Sequence, residues 1–328
     1  MTRALLPLVP LYAAAVGAKN LAYARGWRRA HRLAGPVISI GNLSVGGSGK
    51  TPLTIRLSEL LQGQGIAADV LSRGYGRSLT EVRRVDPAGS ADDYGDEPLL
   101  IAQTTGVPVY VGPSRYAAGC LAESGSPVPR VHLLDDGFQH RQLARDVDIV
   151  VLHRSDFAAQ LLPAGRLREP FSSLSRAQIV VLREEDRDLL PELRARGCSA
   201  PVWFASRTLA VPPVRRAVAF CAIARPDEFF FGLRAEGVTL LATRSWRDHH
   251  QWSQADIAAL VELQRQHQAE AFLTTQKDLV RLHAEQRHAL ESAAPLDDVP
   301  LAVRLADEPS AIAQVLDLLP RSASPPSL

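Results

Sequence analysis

Short apolar runs alternate with helical patterns along the first two thirds of the chain. The runs are rich in Val, Ile and Leu at consecutive positions, and they fall at 37–40, 67–71, 107–111, 131–134, 147–152 and 179–182. Between the first two, residues 51–62 place leucines at helical spacing. Continuously apolar strands are typical of parallel sheets that are buried on both faces. The pattern therefore predicts an α/β fold with a mostly parallel sheet and helices on both faces.

A second, smaller series of apolar runs follows a proline-rich connector at 199–213. Its strands are predicted at 217–223, 238–242, 272–275 and 301–304. Ser253 and Asp256 form a capping box that opens a helix reaching about Gln268. Because 328 residues exceed what one core usually supports, we expect two α/β domains. The predicted boundaries are 1–30 for an N-terminal helical segment, 31–205, 206–320, and 321–328 for a disordered Ser/Pro tail.

The N-terminal segment is apolar from residue 4 to residue 18, and a cluster of arginines follows it. Those arginines are Arg25, Arg28, Arg29 and Arg32. The apolar run is shorter than the roughly 20 residues of a spanning helix. Three interpretations stay open: an interfacial helix whose basic residues meet anionic lipid, a first helix packed on the core, and a signal peptide introduced by Arg3.

Charge and cysteine content exclude several classes of protein. The 37 basic and 35 acidic residues nearly cancel, which argues against broad nucleic-acid binding. The cysteines Cys120, Cys198 and Cys221 are far apart, and no Cys/His spacing of a zinc site occurs. This usage suits a reducing cytoplasm.

The clearest chemical motif is a glycine-rich loop between a predicted strand and a predicted helix. It reads Gly46, Gly47, Ser48, Gly49, Lys50, Thr51. In a P-loop, the backbone amides surround phosphates, the lysine reaches the β- and γ-phosphates, and the hydroxyl binds Mg²⁺. Ser44 stands where the usual pattern has its first glycine. The context still predicts a P-loop NTPase-like sheet that binds a nucleotide.

Two carboxylates follow the predicted strand at 131–134. Asp135 and Asp136 have the form of a Walker B motif, in which a carboxylate holds Mg²⁺ directly or through water. Asp-Asp-Gly is also a favourable turn sequence. With a P-loop upstream, we favour the metal role.

Further polar residues are consistent with either catalysis or ordinary structure. Asp96 and Glu97 precede a proline, so they suit a helix start as well as an active site. The triplet 248–250, Asp-His-His, could bind metal, act as an acid–base pair, or lie in a solvated loop. Four arginines lie in or near loops after predicted strands, where α/β sheets bind ligands: Arg73, Arg115, Arg166 and Arg168.

Taken together, seven sequence blocks resemble the tetraacyldisaccharide 4′-kinases of lipid A biosynthesis. The blocks are 39–52, 72–76, 95–98, 134–140, 162–170, 248–250 and 274–278, in the order that the family has. Ser44 is similar to the family's own P-loop. One departure is the segment 220–226, where the family usually has a glycine-rich turn.

The resemblance implies a reaction and a set of site residues. ATP would phosphorylate the 4′-hydroxyl of a tetraacylated disaccharide 1-phosphate, with Asp96 as catalytic base and His249 as its partner. His250 is the adjacent alternative to His249. The nucleotide and Mg²⁺ positions would be Lys50, Thr51, Asp135, Asp136 and Glu169, and Arg115 and Arg168 would lie near the phosphates.

The resemblance also implies where the protein acts. It would be a peripheral enzyme on the cytoplasmic side of the bacterial inner membrane, with a membrane-associating N-terminal helix and a lipid-linked disaccharide substrate. Two α/β domains would be joined by a short β linker. We expect no nucleic-acid partner and no obligate protein partner.

Proteins of other classes remain as alternatives. A P-loop ATPase of the partition or maturation type, acting as a nucleotide switch, carries a signature lysine where this chain has Val45. A GTPase needs Asn-Lys-x-Asp, whereas the block 275–278 places Lys277 one position too late. A third alternative is a membrane adaptor without enzymatic activity.

Overall fold

The computed structural model describes residues 3–126 and 128–320, so the predicted tail at 321–328 lies outside the described residues. The strands are β1 Val37–Asn42, β2 Ala68–Ser72, β3 Arg83–Arg84, β4 Val109–Val111, β5 Val131–Asp135, β6 Val147–Val151, β7 Ile179–Arg183, β8 Val202–Leu209, β9 Arg216–Cys221, β10 Thr239–Ser245, β11 Ala271–Thr275, β12 Leu296–Val299 and β13 Leu301–Leu305.

Helices connect most of these strands. They are α1 Val9–Ala24, α2 Lys50–Gly63, α3 Ala91–Tyr94, α4 Asp96–Thr105, α5 Arg115–Ser124, α6 Arg154–Phe157, α7 Leu190–Ala195, α8 Pro226–Ala235, α9 Gln254–His267, α10 Gln276–Leu279, α11 Ala284–Ala293 and α12 Glu308–Leu318. Short 3₁₀ helices cover Arg3–Leu8, Phe171–Arg176 and Glu184–Leu189.

The strands form two sheets. The larger has nine strands in the order β13-β8-β7-β6-β1-β5-β2-β4-β3, and the smaller has four in the order β10-β9-β11-β12. All neighbours are parallel except β3 and β13, which lie antiparallel at the two edges of the larger sheet. The predicted mostly parallel α/β fold is therefore confirmed.

Helices cover both faces of the larger sheet because its strands are apolar on both sides. In β7, Val181 packs in the same cluster as α2, α4 and α12, whereas Val180 packs on the opposite face with α7. Leu53, Leu57 and Leu61 supply the buried side of α2. This packing fixes the start of α2 beside the end of β1, where the glycine-rich loop lies.

The connection between the two sheets differs from the prediction. The segment 199–213 contains β8, a strand of eight residues rather than an irregular connector. Strand β13, which we expected in the smaller unit, pairs antiparallel with β8 in the larger sheet. Helix α12 follows it into the larger core. The smaller sheet and its helices therefore lie, along the chain, between two neighbouring strands of the larger sheet.

The N-terminal helix lies on the surface. Helix α1 has no buried residue, so the interpretation as a core helix was wrong. Leu11 is 70% exposed, and Trp27 just beyond the helix is 72% exposed. Within the described residues, Ala4–Ala24 is the one helix long and apolar enough to cross a membrane by length and composition.

Candidate active site

A large cavity lies between the carboxyl ends of the two sheets. Its volume is about 1060 Å³, and residues from both sheets line it. The larger sheet contributes the loop after β1, Asp135 at the end of β5 and Arg73 after β2. The smaller sheet contributes His249 after β10 and Lys277 after β11. In α/β proteins this edge of a parallel sheet is the usual place for a ligand.

The glycine-rich loop has the backbone of a phosphate-binding loop. Gly46 and Gly49 have φ values of +90° and +91°, a conformation that side chains with a Cβ adopt only with strain. Asn42 at the end of β1 donates a 2.8 Å hydrogen bond to the Ser48 hydroxyl and so braces the loop. The first amides of α2 have no intrahelical acceptor and face this loop, which favours an anion there.

The aspartates after β5 differ sharply in environment. Asp135 is 1% exposed and accepts a 3.2 Å hydrogen bond from Thr54. Burial, together with the nearby Glu97 charge, raises its pKa. Burial also opposes ionisation of Asp136, but the Lys50 ammonium and the Arg168 guanidinium outweigh it and hold the pKa of that carboxyl well below its usual range.

Cationic side chains converge on Asp136. Arg168 makes a bidentate pair with its carboxylate at 3.0 and 2.7 Å, and Lys50 Nζ lies 3.6 Å from Oδ1. Arg168 also donates to the Asn42 side chain. Arg115, the first residue of α5, is 7% exposed, and burial lowers its pKa to about 10 although the Asp136 charge opposes that shift.

The charge of the cavity suits a polyanion. Nine Lys and Arg side chains and six carboxylates line it, an excess of three positive charges. Most of this excess lies around the glycine-rich loop, where four cations face two carboxylates: Lys50, Arg73, Arg115 and Arg168 against Asp135 and Asp136. A low-dielectric cleft with one dominant sign concentrates ligands of the opposite sign.

The residues present also fit a magnesium ion. Thr51, Asp135 and Asp136 line the same part of the cavity and offer one hydroxyl and two carboxylates. Magnesium is usually held by one or two carboxylates together with water and substrate phosphates. Within the part of the chain that the structure describes, no cluster of three or more His, Cys, Asp or Glu could hold a metal by itself. The donor set therefore matches an ion bound jointly with a nucleotide.

Glu169 has a different position from the one its expected metal role requires. It is 3% exposed and is not among the residues that line the cavity. Its carboxylate accepts from Arg176 at 3.0 Å and from Asn20 of α1 at 2.7 Å. Glu169 is therefore part of the contact with the N-terminal helix rather than of the phosphate site.

An acid–base pair joins α4 to the loop after β10, beside the cavity. Asp96, the first residue of α4, is 5% exposed, and its Oδ2 lies 2.9 Å from His249 Nδ1. Gly95 precedes it with φ +89°, and a Cβ there would lie 3.0 Å from Gly74, so two of the seven sequence blocks touch at this point. His249 also has a positive φ, +62°, the kind of strain that collects at functional sites.

The adjacent histidine has another role. His250 Nε2 pairs with Asp256 at 2.9 Å, and its ring stacks on Trp246. The geometry therefore favours His249 over His250 as the partner of Asp96, and it is His249 that lines the cavity.

The charges around this pair shift the pKa values of both Asp96 and His249. Burial opposes ionisation of Asp96, but its hydrogen bond with His249 and the Lys277 charge lower its pKa to about 2. The hydrogen bond that His249 donates to Asp96 in turn raises the pKa of His249. The imidazole is therefore the more basic member of the pair.

Two cations beside the pair were not among the predicted site residues. Lys277 Nζ lies 3.2 Å from Glu97 and from Asp248, and 3.4 Å from His249 Nε2. Arg281 Nε lies 3.9 Å from Asp96. The sequence held one signal for Lys277: only three of the 37 basic residues are lysines, and all three line this cavity.

Together, the parallel sheet, the glycine-rich loop and the acid–base pair beside the same cavity define a P-loop phosphotransferase. A family model described as tetraacyldisaccharide-1-P 4'-kinase matches residues 1–320. The chain belongs to the tetraacyldisaccharide-1-P 4'-kinase family, which confirms the resemblance found in its seven sequence blocks.

Individual relatives agree over nearly the whole chain. A tetraacyldisaccharide 4'-kinase of Koribacter versatilis is 43% identical over 96% of this chain and 98% of its own length. A tetraacyldisaccharide 4'-kinase of Chromobacterium violaceum is 38% identical over 94% of this chain and 91% of its own length. The crystal structure of an "apo" form of LpxK from Aquifex aeolicus in complex with ATP has a TM-score of 0.78 at 30% identity, covering 96% of this chain and 98% of that one. The alternative of a partition-type nucleotide switch is not favoured.

Proposed function

We propose that this chain transfers the γ-phosphoryl group of ATP to the 4′-hydroxyl of a tetraacyldisaccharide 1-phosphate, a step of lipid A biosynthesis. One observation carries the mechanism: the phosphate loop and His249 line one cavity from different parts of the chain, and buried Asp96 pairs with His249 from behind that lining. Family membership supplies the substrate class. A donor and an acceptor could therefore bind side by side.

At the donor end, this chain's residues bind and neutralise the phosphates. Amides of the loop at Gly47 and of the first turn of α2 would contact the phosphate oxygens. Lys50 and Arg168, now both beside Asp136, are placed to offset charge on the transferring group. Such fixed charges act most strongly where bound substrates exclude water.

Thr51, Asp135 and Asp136 are the residues that would hold magnesium. The ion would supply charge neutralisation of the β- and γ-phosphates when bound. The Thr54 hydroxyl, which bonds Asp135, and the pair between Arg168 and Asp136 fix the directions of the two carboxylates. Hydrogen bonds within the chain therefore orient the carboxylates of Asp135 and Asp136.

At the acceptor end, His249 and Asp96 remove the proton of the sugar hydroxyl. With Asp96 accepting the Nδ1 proton of His249, the imidazole Nε2 carries no proton, and it can accept one from the sugar hydroxyl once the acceptor displaces Lys277 from it. Lys277 lies 3.4 Å from the same Nε2 and holds Asp248 and Glu97 beside it. Phosphoryl transfer needs little more than this, since most of its catalysis is positioning and electrostatic stabilisation.

We place the protein at the cytoplasmic side of the inner membrane as a peripheral enzyme. A surface helix with no buried residue leaves its leucines free to enter a bilayer interface. The arginines after α1 would then lie at the level of anionic head groups. An acyl-chain-bearing acceptor has to be taken from such a surface.

Replacing Leu11 by glutamate should weaken membrane binding. Leu11 is 70% exposed on α1, and burying a leucine is worth roughly 1.5–3 kcal/mol, so we expect partitioning to fall about tenfold. The measurement is co-sedimentation with vesicles containing anionic phospholipid. Leu318→Glu, at an exposed leucine on α12, is the matched control. Equal partitioning of the two variants would contradict an interfacial role for α1.

The pH dependence of kcat distinguishes the imidazole from the carboxylate as base. The hydrogen bond to Asp96 raises the pKa of His249 above its ordinary value of about 6.5, and only neutral imidazole accepts a proton. Activity should therefore rise with pH through a value above 6.5, with Asp248 and Lys277 as the other charged neighbours. His249→Gln should remove that limb. A limb near the Asp96 value, about 2, would assign the base to the carboxylate instead.

The reaction itself is tested by label transfer. Purified protein, γ-labelled ATP and a panel of lipid disaccharides and water-soluble sugars are incubated with Mg²⁺. We expect label in a tetraacylated disaccharide 1-phosphate and none in an analogue that lacks the 4′-hydroxyl. ATP hydrolysis that is independent of every acceptor would instead favour a nucleotide switch.

A further inference from the structure

Helix α1 is joined to the phosphate site by polar contacts along one side. The Tyr12 hydroxyl donates a 3.0 Å hydrogen bond to the backbone oxygen of Arg168. Asn20 Nδ2 donates a 2.7 Å hydrogen bond to Glu169 Oε2. Because α1 has no buried residue, apolar packing contributes little to its attachment. These polar bonds therefore decide where the helix and the 168–169 segment lie relative to one another.

The same helix contacts the loop that follows Asp136. Lys19 Nζ donates to the backbone oxygen of Gln139 at 3.2 Å, and Gln139 Nε2 donates to the backbone oxygen of Asn42 at 2.9 Å. Arg141 Nη1 donates to the backbone oxygen of Asn20 at 2.8 Å. All these contacts reach loops that carry residues of the phosphate site.

The contacts constrain Arg168 from both ends of its backbone. Its N–H donates to the Leu43 oxygen at 2.6 Å, and its carbonyl oxygen accepts from Tyr12. The next residue, Glu169, is held between Asn20 and Arg176. From the backbone held in this way, the Arg168 guanidinium reaches Asp136 and donates two hydrogen bonds to its carboxylate.

We propose that Tyr12 and Asn20 are positioning residues for phosphoryl transfer, which hold the 168–169 segment so that the Arg168 guanidinium stays at the phosphate site. Neither side chain needs to touch a reacting atom. Helix α1 then serves two purposes, since the face opposite these bonds carries the exposed leucines. The kinetic part of this inference rests on the proposed kinase function.

The kinetic test compares three single substitutions on α1. Tyr12→Phe deletes one hydroxyl, and Asn20→Ala deletes the donor to a buried carboxylate. Tyr23→Phe is the matched control, because in the described part of the chain the Tyr23 hydroxyl makes no hydrogen bond and its ring contacts Arg141. The acceptor is supplied in detergent micelles, so that delivery from a membrane plays no part.

We expect kcat to fall about fivefold for Tyr12→Phe and roughly tenfold or more for Asn20→Ala, from the usual strength of neutral and charge-assisted hydrogen bonds. The KM for ATP should stay within about twofold, because the loop amides and Lys50 are unchanged. Tyr23→Phe should match the unchanged protein. Values of kcat within twofold for both Tyr12→Phe and Asn20→Ala would overturn the proposal.

Hydrogen exchange gives a readout that does not depend on the acceptor. Amide exchange across residues 160–170 should become faster in Tyr12→Phe and Asn20→Ala and stay the same in Tyr23→Phe. Equal exchange in all three would overturn the positioning role even if kcat changed. If the unchanged protein transfers no phosphate to any disaccharide, the proposed function fails, and the exchange data alone decide whether α1 holds this segment.

Discussion

Replacing Lys50 by alanine should lower kcat/KM for phosphoryl transfer by about a thousandfold, equivalent to roughly 4 kcal/mol of transition-state stabilisation. The lysine begins α2, directly after the glycine-rich loop, and lies 3.6 Å from Asp136. Its ammonium would stabilise the negative charge that develops on the transferring phosphoryl group. The measurement is initial-rate label transfer at several ATP concentrations.

Arg56→Ala is the control for Lys50→Ala. Arg56 lies on the same helix, six positions later, and pairs with Glu59 and Glu308 outside the cavity. The Arg56→Ala substitution removes a cation from α2 without changing the site, so phosphoryl transfer should be nearly unchanged. Turnover of Lys50→Ala within tenfold of the unchanged protein would contradict the assignment of this loop to the phosphates of ATP.

Substituting Asp96 with asparagine should lower kcat by a factor of about 10²–10⁴, the usual contribution of general acid–base catalysis. Asparagine keeps the shape of the side chain but removes the charge that stabilises protonated His249. ATP affinity should hardly change, because Asp96 pairs with His249 and Lys277 rather than with residues of the phosphate loop. Binding of ATP by calorimetry and label transfer in single turnover measure the two quantities separately.

Asp92→Asn is the matched control for the substitution at Asp96. Asp92 is on the short helix just before α4, its side chain is 47% exposed, and it pairs only loosely with His283 at 3.6 Å. Equal losses in kcat and ATP affinity for Asp96→Asn would show that the carboxylate supports the fold of the site rather than the proton transfer.

The sequence predicted well those parts of the site that are local in the chain. The glycine-rich loop and the two aspartates each occupy a few consecutive residues at the end of an apolar strand, so strand and motif could be recognised together. The predicted parallel sheet places the carboxyl ends of its strands at one edge, but the pairing of β1 with β5, which brings Asp135 near Lys50, was not predicted.

Long-range pairs could not be predicted in the same way. Asp96 and His249 are 153 residues apart, and no periodicity indicates which of two adjacent histidines turns toward the carboxylate. That choice depends on the positive φ of His249 and on the competing partner of His250. Glu169 was misplaced for a related reason, since its partner Asn20 lies 149 positions earlier on a helix whose packing the sequence left open.

The return of the chain to the larger sheet also lacked a local signal. Strand β13 is short and apolar like its predecessors, so we grouped it with the smaller sheet that comes just before it. Its antiparallel pairing with β8 depends on which edge is available, and only the folded sheet determines that.

This pairing places the two ends of the smaller unit side by side. Leu209, the last residue of β8, stands opposite Leu301, the first residue of β13, so the chain leaves and re-enters the larger sheet about 5 Å apart. A two-residue hairpin turn could span that gap. The segment from Ala210 to Pro300 is thus an insertion between two paired strands. It could be deleted or exchanged without interrupting the sheet that carries the phosphate loop.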